Sequence, residues 1–414
     1  MKLIKKNSSF QASVKLSSGK SESNRALMIA AYSDKVLKIN NISDADDTVL
    51  LQELLNKISL CNSDSEQIFE VYCKNAGTVF RFLLTYLAQF PGNWFLTGSE
   101  RMKQRPVNDL VIALKELGAE IQFIENEGFP PLFIRGKKLS GGNVKVSISK
   151  SSQFATSLLL AAPCWEKGLL LELTGDPGSM PYIDMTISLM QKAGAVVERK
   201  DQIVIVQASA YQESEITVLP DWSGASYWLE MVALSKNGSV WMEGLSTASD
   251  HGDKEVLHFF EKLGVGFEES SYGIKVFQTG RIETDLRFDL KNFPDLMPAL
   301  VASCAGLGVK AVFTGLENLG IKESDRISVL LGELAKAGFE GNQISSYSIE
   351  TSGNNTLSAF PIQFDPHGDH RMAMCLAPLV LKLNEIDISD PEVVIKSYPG
   401  FWQELSATDA VIII

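Results

Sequence analysis

Residues 94–121 read Trp94-Phe95-Leu96-Thr97-Gly98, then a basic loop, then an amphipathic run over residues 107–117, then Gly118-Ala119-Glu120-Ile121. The order is strand, polar loop, helix, helix-ending glycine and the start of a hairpin. Glycine suits the position just past a helix, where the backbone turns left-handed. The same order recurs three times. Leu171-Glu172-Leu173-Thr174-Gly175 leads to a helix through Met190 and to Gly194-Ala195-Val196-Val197. Val240-Trp241-Met242-Glu243-Gly244 leads to a helix reaching Leu263 and to Gly264-Val265. Val312-Phe313-Thr314-Gly315 leads to a helix reaching Ala337 and to Gly338-Phe339. The helix-ending glycines at 118, 194, 264 and 338 lie 76, 70 and 74 residues apart.

Two less regular copies fit the ends, one at Lys38-Ile39-Asn40-Asn41 with a helix from Asp46, the other starting near His370. Periods near seventy are too long for a simple solenoid, so each copy reads as a small α/β lobe. About six lobes suggest two domains of three, with a crossing at Pro220-Asp221-Trp222. The first strand, residues 10–16, is expected to join the C-terminal half. The expected domains are 19–219 and 1–18 with 220–414.

A chain of 414 residues with 45% hydrophobic and 21% charged residues fits a soluble globular protein too long for one ordinary core. The net charge of −12 argues against nucleic-acid or anionic-membrane partners. The five cysteines lack Cys-x-x-Cys spacing and are expected to be reduced and mostly buried, in a cytoplasmic protein. No apolar run follows the basic start Met1-Lys2-Leu3-Ile4-Lys5-Lys6, and four histidines show no metal-ligand spacing.

Only ten residues are arginine, and six of them, Arg25, Arg81, Arg101, Arg105, Arg326 and Arg371, sit in short polar motifs. The planar guanidinium fork suits phosphate and carboxylate, so the clustering suggests a site for a small, heavily anionic ligand. Ser18-Gly19-Lys20-Ser21 looks like the end of a nucleotide-binding loop, but that loop needs a glycine where Val14 stands. What is left is Lys20 and Ser21 in a turn before a helix over residues 24–31, an anion site or an ordinary solvated cap. Asn75-Ala76-Gly77-Thr78 precedes a helix carrying Arg81, and its small residues permit close backbone approach. Arg101, Lys103 and Arg105 crowd one loop and need anionic partners, although Arg105, next to the helix, can equally serve structure. Ser151-Ser152-Gln153 opens a helix to Leu160; it can hold a phosphate or simply cap the helix.

Lys322-Glu323-Ser324-Asp325-Arg326 is expected to put Lys322 and Arg326 on one helical face, with Glu323 between cations and able to exchange protons. Phe293-Pro294-Asp295-Leu296-Met297-Pro298 sets Asp295 among apolar residues and prolines, an unusual place for a surface carboxylate. Asp369-His370-Arg371-Met372-Ala373-Met374 starts an apolar helix in which a lone histidine is more often structural. Lys396-Ser397-Tyr398-Pro399 is a weak motif by itself.

Together and in this order, the motifs resemble those of the 5-enolpyruvylshikimate-3-phosphate synthases, a family of enolpyruvyl transferases. The most specific pieces are Lys20-Ser21-x-Ser23-Asn24-Arg25, Asn75-Ala76-Gly77-Thr78, Arg101-Met102-Lys103-x-Arg105-Pro106, Ser151-Ser152-Gln153-Phe154, Lys322-Glu323-x-Asp325-Arg326 and Asp369-His370-Arg371. The resemblance implies an α/β (α+β) fold of two domains, each of three βαβαββ units around a pseudo-threefold axis, with the active site in the interdomain cleft. It implies transfer of the enolpyruvyl (carboxyvinyl) group of phosphoenolpyruvate to the 5-hydroxyl of shikimate 3-phosphate, releasing phosphate, in the shikimate pathway of aromatic amino acid biosynthesis. It implies no cofactor and no metal; the two substrates are the expected partners, and a monomer is expected.

Carried over by position, Lys20, Asn75, Gly77, Arg101, Gln153, Arg326, Arg371 and Lys396 would bind phosphoenolpyruvate. Lys20, Ser21, Arg25, Ser151, Ser152, Gln153, Ser179, Tyr182, Asp295, Asn318 and Lys322 would bind shikimate 3-phosphate. The implied catalytic set is Asp295, Glu323, Lys20 and Lys322, with Asp295 taking the hydroxyl proton and Glu323 delivering a proton to the methylene carbon. The chain departs from the family pattern at Ser17-Ser18-Gly19, at Phe82, at Met180 and at Leu319-Gly320. Two other readings are a UDP-N-acetylglucosamine enolpyruvyl transferase and a non-catalytic anion-binding homologue. The first commonly uses a cysteine in a basic loop, which residues 101–105 lack. The second needs only the cations, so Asp295 and Glu323 argue against it.

Overall fold

Alternation makes the strands. In Gly92–Thr97, Trp94 and Leu96 are buried while Asn93 and Phe95 are only partly so, the period of two of a sheet with one face on a core. The computed structural model describes residues 1–61 and 67–414. It divides into two compact units, one of Lys20–Val218 and one of Met1–Gly19 with Leu219–Ile414.

In the Lys20–Val218 unit, Ile68–Tyr72 runs parallel to Gly92–Thr97, which pairs antiparallel with Leu132–Gly136 and through it with Glu120–Phe123. Gly142–Ser147, Leu169–Thr174, Ile203–Val206 and Val197–Lys200 repeat that pattern. A third, two-stranded sheet pairs Ser214–Thr217 parallel to Leu37–Asn40. The other unit carries three four-stranded sheets with the same parallel-then-antiparallel order. One joins Ser9–Val14 to Asn237–Glu243, and another is built on Leu286–Asp289 and Ala311–Thr314. In the last, Lys2–Lys5 lies between Glu385–Ile388 and Val411–Ile413. The fold is mixed α/β with several separate sheets, as the class read from the sequence requires.

Two kinds of helix cover these sheets. Outer helices such as Asn108–Glu116 bury one stripe, here Leu110, Val111, Ala113 and Leu114. Inner helices are apolar nearly all round and are buried accordingly. Every residue of Trp222–Leu234 is buried, as are all those of Gly77–Gln89 except Thr78 and Gln89. Lys20–Tyr32, Gly77–Gln89 and Gln153–Ala161 touch pairwise, and so do Trp222–Leu234, Met297–Leu307 and His370–Leu376. Each trio is the centre of its unit's core.

Three of the four glycine stops close their helices as expected. Gly118, Gly194 and Gly338 have φ of +95°, +86° and +81°. Each is followed by a backbone bond back to the helix, such as Ala119 N to Leu114 O at 2.9 Å. Gly264 does not end a helix: the helix Val256–Glu261 stops earlier, and Gly264 lies within the strand Leu263–Ser270 at a register shift. Its positive φ serves a β-bulge instead. The strand expected over residues 10–16 spans Ser9–Val14 and follows an earlier one, Lys2–Lys5; within the same unit Gly19 N donates to Leu219 O at 2.8 Å.

Candidate active site

In the C-terminal unit the prolines around Asp295 shape its position. Pro294 opens the short turn Pro294–Leu296, and Pro298 opens the helix Met297–Leu307. Fixed φ at a helix start needs no backbone donor, so proline fits there. Asp295 is thereby held at the head of an inner helix, facing two guanidiniums. Its Oδ1 lies 3.0 Å from Arg326 Nη1 and its Oδ2 2.7 Å from Arg371 Nη2.

Arg326 is the hub. Its side chain is almost wholly buried, and its other two nitrogens reach Asp369 Oδ2 at 2.8 Å and Glu323 Oε2 at 2.9 Å. Lys396 Nζ stands 3.7 Å from Glu323 Oε1. Asp369 caps the helix His370–Leu376 by accepting from Arg371 N, and it also accepts from Ser324 Oγ. Burial alone would raise the Asp295 pKa, but Arg371, Lys322 and Arg326 outweigh it and hold the carboxyl well below its ordinary range. Burial pulls Arg326 down, but Asp369, Glu323 and Asp295 outweigh it and raise its pKa. Buried ions are tolerable only when paired and hydrogen-bonded, and each charge here has its counterpart.

The expected helical face of Lys322 and Arg326 is not formed. Asp325 caps the helix Arg326–Lys336 through Ser328 N, so Lys322 and Glu323 precede the helix in extended and irregular backbone. The cations flanking Glu323 are Arg326 and Lys396. Lys322 instead contributes to the field on Asp295. Asn318 is half-buried ahead of the short turn Leu319–Ile321, where a Cβ on Gly320 would stand 3.9 Å from Asp325 Oδ1. His370 is buried 3.5 Å from Asp369.

In the Lys20–Val218 unit Lys20, Arg25 and Arg81 lie in the N-terminal halves of the inner helices, with Arg105 against the start of one of them. Lys20 and Ser21 are not in a preceding turn; the helix starts at Lys20 because Gly19 is tied to Leu219. Lys20 Nζ pairs with Asp47 at 3.2 Å. Arg25 donates to Thr186 Oγ1 at 2.8 Å, Ser21 O at 2.7 Å and Tyr182 O at 3.2 Å, between the rings of Phe82 and Tyr182. Burial lowers its pKa to about 10, against the pull of Tyr182 and Glu22, which leaves it charged at neutral pH. Arg81 donates to Gln153 Oε1, Gly77 O and Pro106 O. Gln153 donates in turn to Thr78 Oγ1 at 3.0 Å, and Arg105 donates to Asn75 O at 3.2 Å.

A Cβ on Gly77 would stand 2.6 Å from both Arg81 Nη1 and Arg105 Nη2. Only glycine lets those guanidiniums lie against the helix start. Ser151 Oγ caps Gln153 N, and Ser152 is buried beside it. Ser179 has φ +60° directly before the helix Met180–Lys192, which presents Tyr182 and Thr186 to Arg25. Arg101 lies in the one-turn helix Glu100–Lys103, with Gln104 Oε1 at 3.4 Å.

The EPSP synthase family profile (3-phosphoshikimate 1-carboxyvinyltransferase) matches residues 4–405. The chain belongs to the EPSP synthase family. It is 39% identical over 405 residues to the 3-phosphoshikimate 1-carboxyvinyltransferase of Bacteroides fragilis strain YCH46, covering 97% of this chain and 96% of that one. It is 32% identical over 411 residues to that of Colwellia psychrerythraea, covering 94% and 95%. It shares its fold with an EPSP synthase structure from Acinetobacter baumannii, at 20% identity and a TM-score of 0.77 over 99% of each chain.

Against the family pattern, Phe82 has acquired a defined neighbour: its ring lies 5.8 Å from the Arg25 guanidinium. Sequence reasoning missed Asp47, Thr186 and Tyr227, whose hydroxyl is 3.4 Å from Arg371 Nη1. No local signal marks these three, because each partner lies far along the chain. The helix start at Asp369-His370-Arg371 was read from the chain; the grip of Asp369 on Arg326 was not.

Proposed function

We propose that this enzyme is a transferase that moves the enolpyruvyl group of phosphoenolpyruvate to the 5-hydroxyl of shikimate 3-phosphate, releasing phosphate. The observation that carries the chemistry is one guanidinium, Arg326, holding both Asp295 and Glu323, at 3.0 and 2.9 Å. A pure anion-binding protein has no need to spend its buried cation on two carboxylates.

Protonation of the methylene carbon and attack at its neighbour require an acid and a base in one site. Glu323 delivers the first proton. The 5-hydroxyl oxygen then bonds to the central carbon, and its proton goes to Asp295. The tetrahedral intermediate collapses as Glu323 recovers the proton from the new methyl group and the C–O bond to phosphate breaks; the proton held on Asp295 goes to the departing phosphate, and both carboxyls return to their starting states. At rest Asp295 is a weak base, because Arg371, Lys322 and Arg326 stabilise its charge. A multiply charged anion on those cations cancels part of their field and raises the pKa of the carboxylates beside it. Substrate binding thereby prepares Asp295 to accept a proton and Glu323 to carry one.

We assign phosphoenolpyruvate to Lys20, Arg101, Arg326, Arg371 and Lys396, with Asn75, Gly77 and Gln153. We assign shikimate 3-phosphate to Ser21, Arg25, Ser151, Ser152, Gln153, Ser179 and Tyr182, with Asn318 and Lys322. The bonds Arg25 makes to Ser21, Tyr182 and Thr186 are neutral, which supports a phosphate role. The cations hold the charge that grows on the departing phosphate. We take the enzyme to be a cytoplasmic monomer; among the described residues no helix is long and apolar enough to cross a membrane.

Purified protein mixed with both substrates should release phosphate. Absence of release, or equal release with UDP-N-acetylglucosamine as acceptor, overturns the assignment.

A further inference from the structure

The inner helices of the Lys20–Val218 unit have a second end. Their N-terminal halves hold Arg25, Arg81 and Gln153; the last turns of Lys20–Tyr32 and Gly77–Gln89, with the turn Ala162–Cys164 that follows Gln153–Ala161, border a separate cavity of about 440 Å³. Its walls carry the rings of Tyr32, Tyr86 and Phe90, the Gln89 amide, the Asp34 carboxylate and the Cys164 thiol. Tyr86 stacks on Phe90 at 5.4 Å between centroids and tilts against Tyr32 at 5.3 Å. The volume lies in the range of roughly 300–1,000 Å³ typical of small-molecule sites.

The electrostatics of this end are one-sided. Helices Lys20–Tyr32, Gly77–Gln89 and Gln153–Ala161 carry no basic residue in their last turns. The outer helices of the same unit, Asp46–Ser59, Asn108–Glu116 and Met180–Lys192, end on Lys57, Lys115 and Lys192. A helix C-terminus carries roughly half a negative charge, and a last-turn cation offsets it. Two such ends, of Lys20–Tyr32 and Gly77–Gln89, therefore border the cavity without a last-turn counter-charge, and Asp34 adds a full negative charge. The ring faces are electronegative as well. Burial, and after it Asp34, pushes the Cys164 thiol up to about 11, the direction a negative field requires.

We propose that this cavity binds a small organic ammonium ion, a primary or quaternary amine with an apolar body. The ammonium sits at Asp34 and the helix ends, and the body lies on the rings. An anion is excluded by the field. A bare metal ion is a poor fit because, among the described residues, no group of three metal-ligating side chains is assembled. The proposal does not depend on the reaction assigned above.

Cys164 is exposed and reports on the cavity directly. Its modification is followed by peptide mass with two reagents, cationic 2-(trimethylammonium)ethyl methanethiosulfonate and anionic 2-sulfonatoethyl methanethiosulfonate. Each rate is normalised to that of free cysteine. The cationic reagent should be favoured by at least about tenfold at low salt. Benzyltrimethylammonium at about 10 mM should slow the reaction, while phenylacetate should not. Asp34→Asn should reduce the preference several-fold, with phosphate release unchanged. Equal normalised rates, or no protection by benzyltrimethylammonium, would overturn the proposal.

Discussion

The two units pair their buried cations differently. In the C-terminal unit each active-site cation is answered by an acid: Arg326 by Asp295, Glu323 and Asp369, Arg371 by Asp295, and Lys396 by Glu323. In the Lys20–Val218 unit the hydrogen bonds of Arg25 and Arg81 described above go to carbonyls, a hydroxyl and an amide. Lys20 instead pairs with Asp47. A cation satisfied by neutral groups keeps its charge available to an incoming anion. A cation shared among carboxylates sets their proton affinity instead. On the proposed function, one unit is suited to grip and the other to proton transfer.

The sharpest way to break this contrast is Glu323→Gln. Turnover should fall by about 10²–10⁴-fold, while shikimate 3-phosphate affinity stays within a few-fold. Phosphate-release kinetics beside calorimetry would show it; undiminished turnover removes the C-terminal acids from the chemistry.

Arg326→Met tests the same network by stability. It strips the guanidinium from Asp369, which is fully buried, and should cost about 3–5 kcal/mol in urea unfolding at neutral pH. In the parent protein the depressed Asp295 pKa adds stability above its unfolded value, lost only as pH falls through the folded one. In the variant that support is weakened and the acids protonate more easily, so the deficit should shrink toward acidic pH. A deficit independent of pH contradicts the ionic account.

In the gripping unit, Arg25→Ala should weaken shikimate 3-phosphate binding by about 1.5–3 kcal/mol, or roughly 10–150-fold, with a smaller change in kcat. A loss confined to kcat would move Arg25 into the chemical step and erase the division of labour.

The smallest effect concerns an acid outside the site. Glu230, on the inner helix Trp222–Leu234, is fully buried, and neither carboxyl oxygen has a hydrogen-bond partner among the described residues. Burial raises its pKa well above the ordinary value. The folded form therefore holds a proton that the unfolded chain gives up, so stability falls as pH rises from the unfolded pKa toward the folded one. Glu230→Leu should stabilise the protein by about 1–3 kcal/mol at pH 8 and flatten that slope in urea titrations. An unchanged slope would show that Glu230 is not the group responsible.

Much of this was legible from the chain. The recurring strand-loop-helix-glycine order marks the helix ends at Gly118, Gly194 and Gly338, because a left-handed backbone position and its two hydrogen bonds involve residues only a few apart. Strand alternation and the apolar inner helices depend on equally local patterns. The residue types of the proposed site were also read from the chain, on scarce arginines beside glycine and serine. Tertiary structure alone decided which charge faces which. It set Lys5 beside Val411, Lys20 beside Asp47 and Glu323 between Arg326 and Lys396. It also ended the helix at Arg326, away from Lys322, and turned Gly264 into a bulge. Those outcomes follow from sheet register and from the need to pair every buried ion, and both are settled by residues distant in sequence.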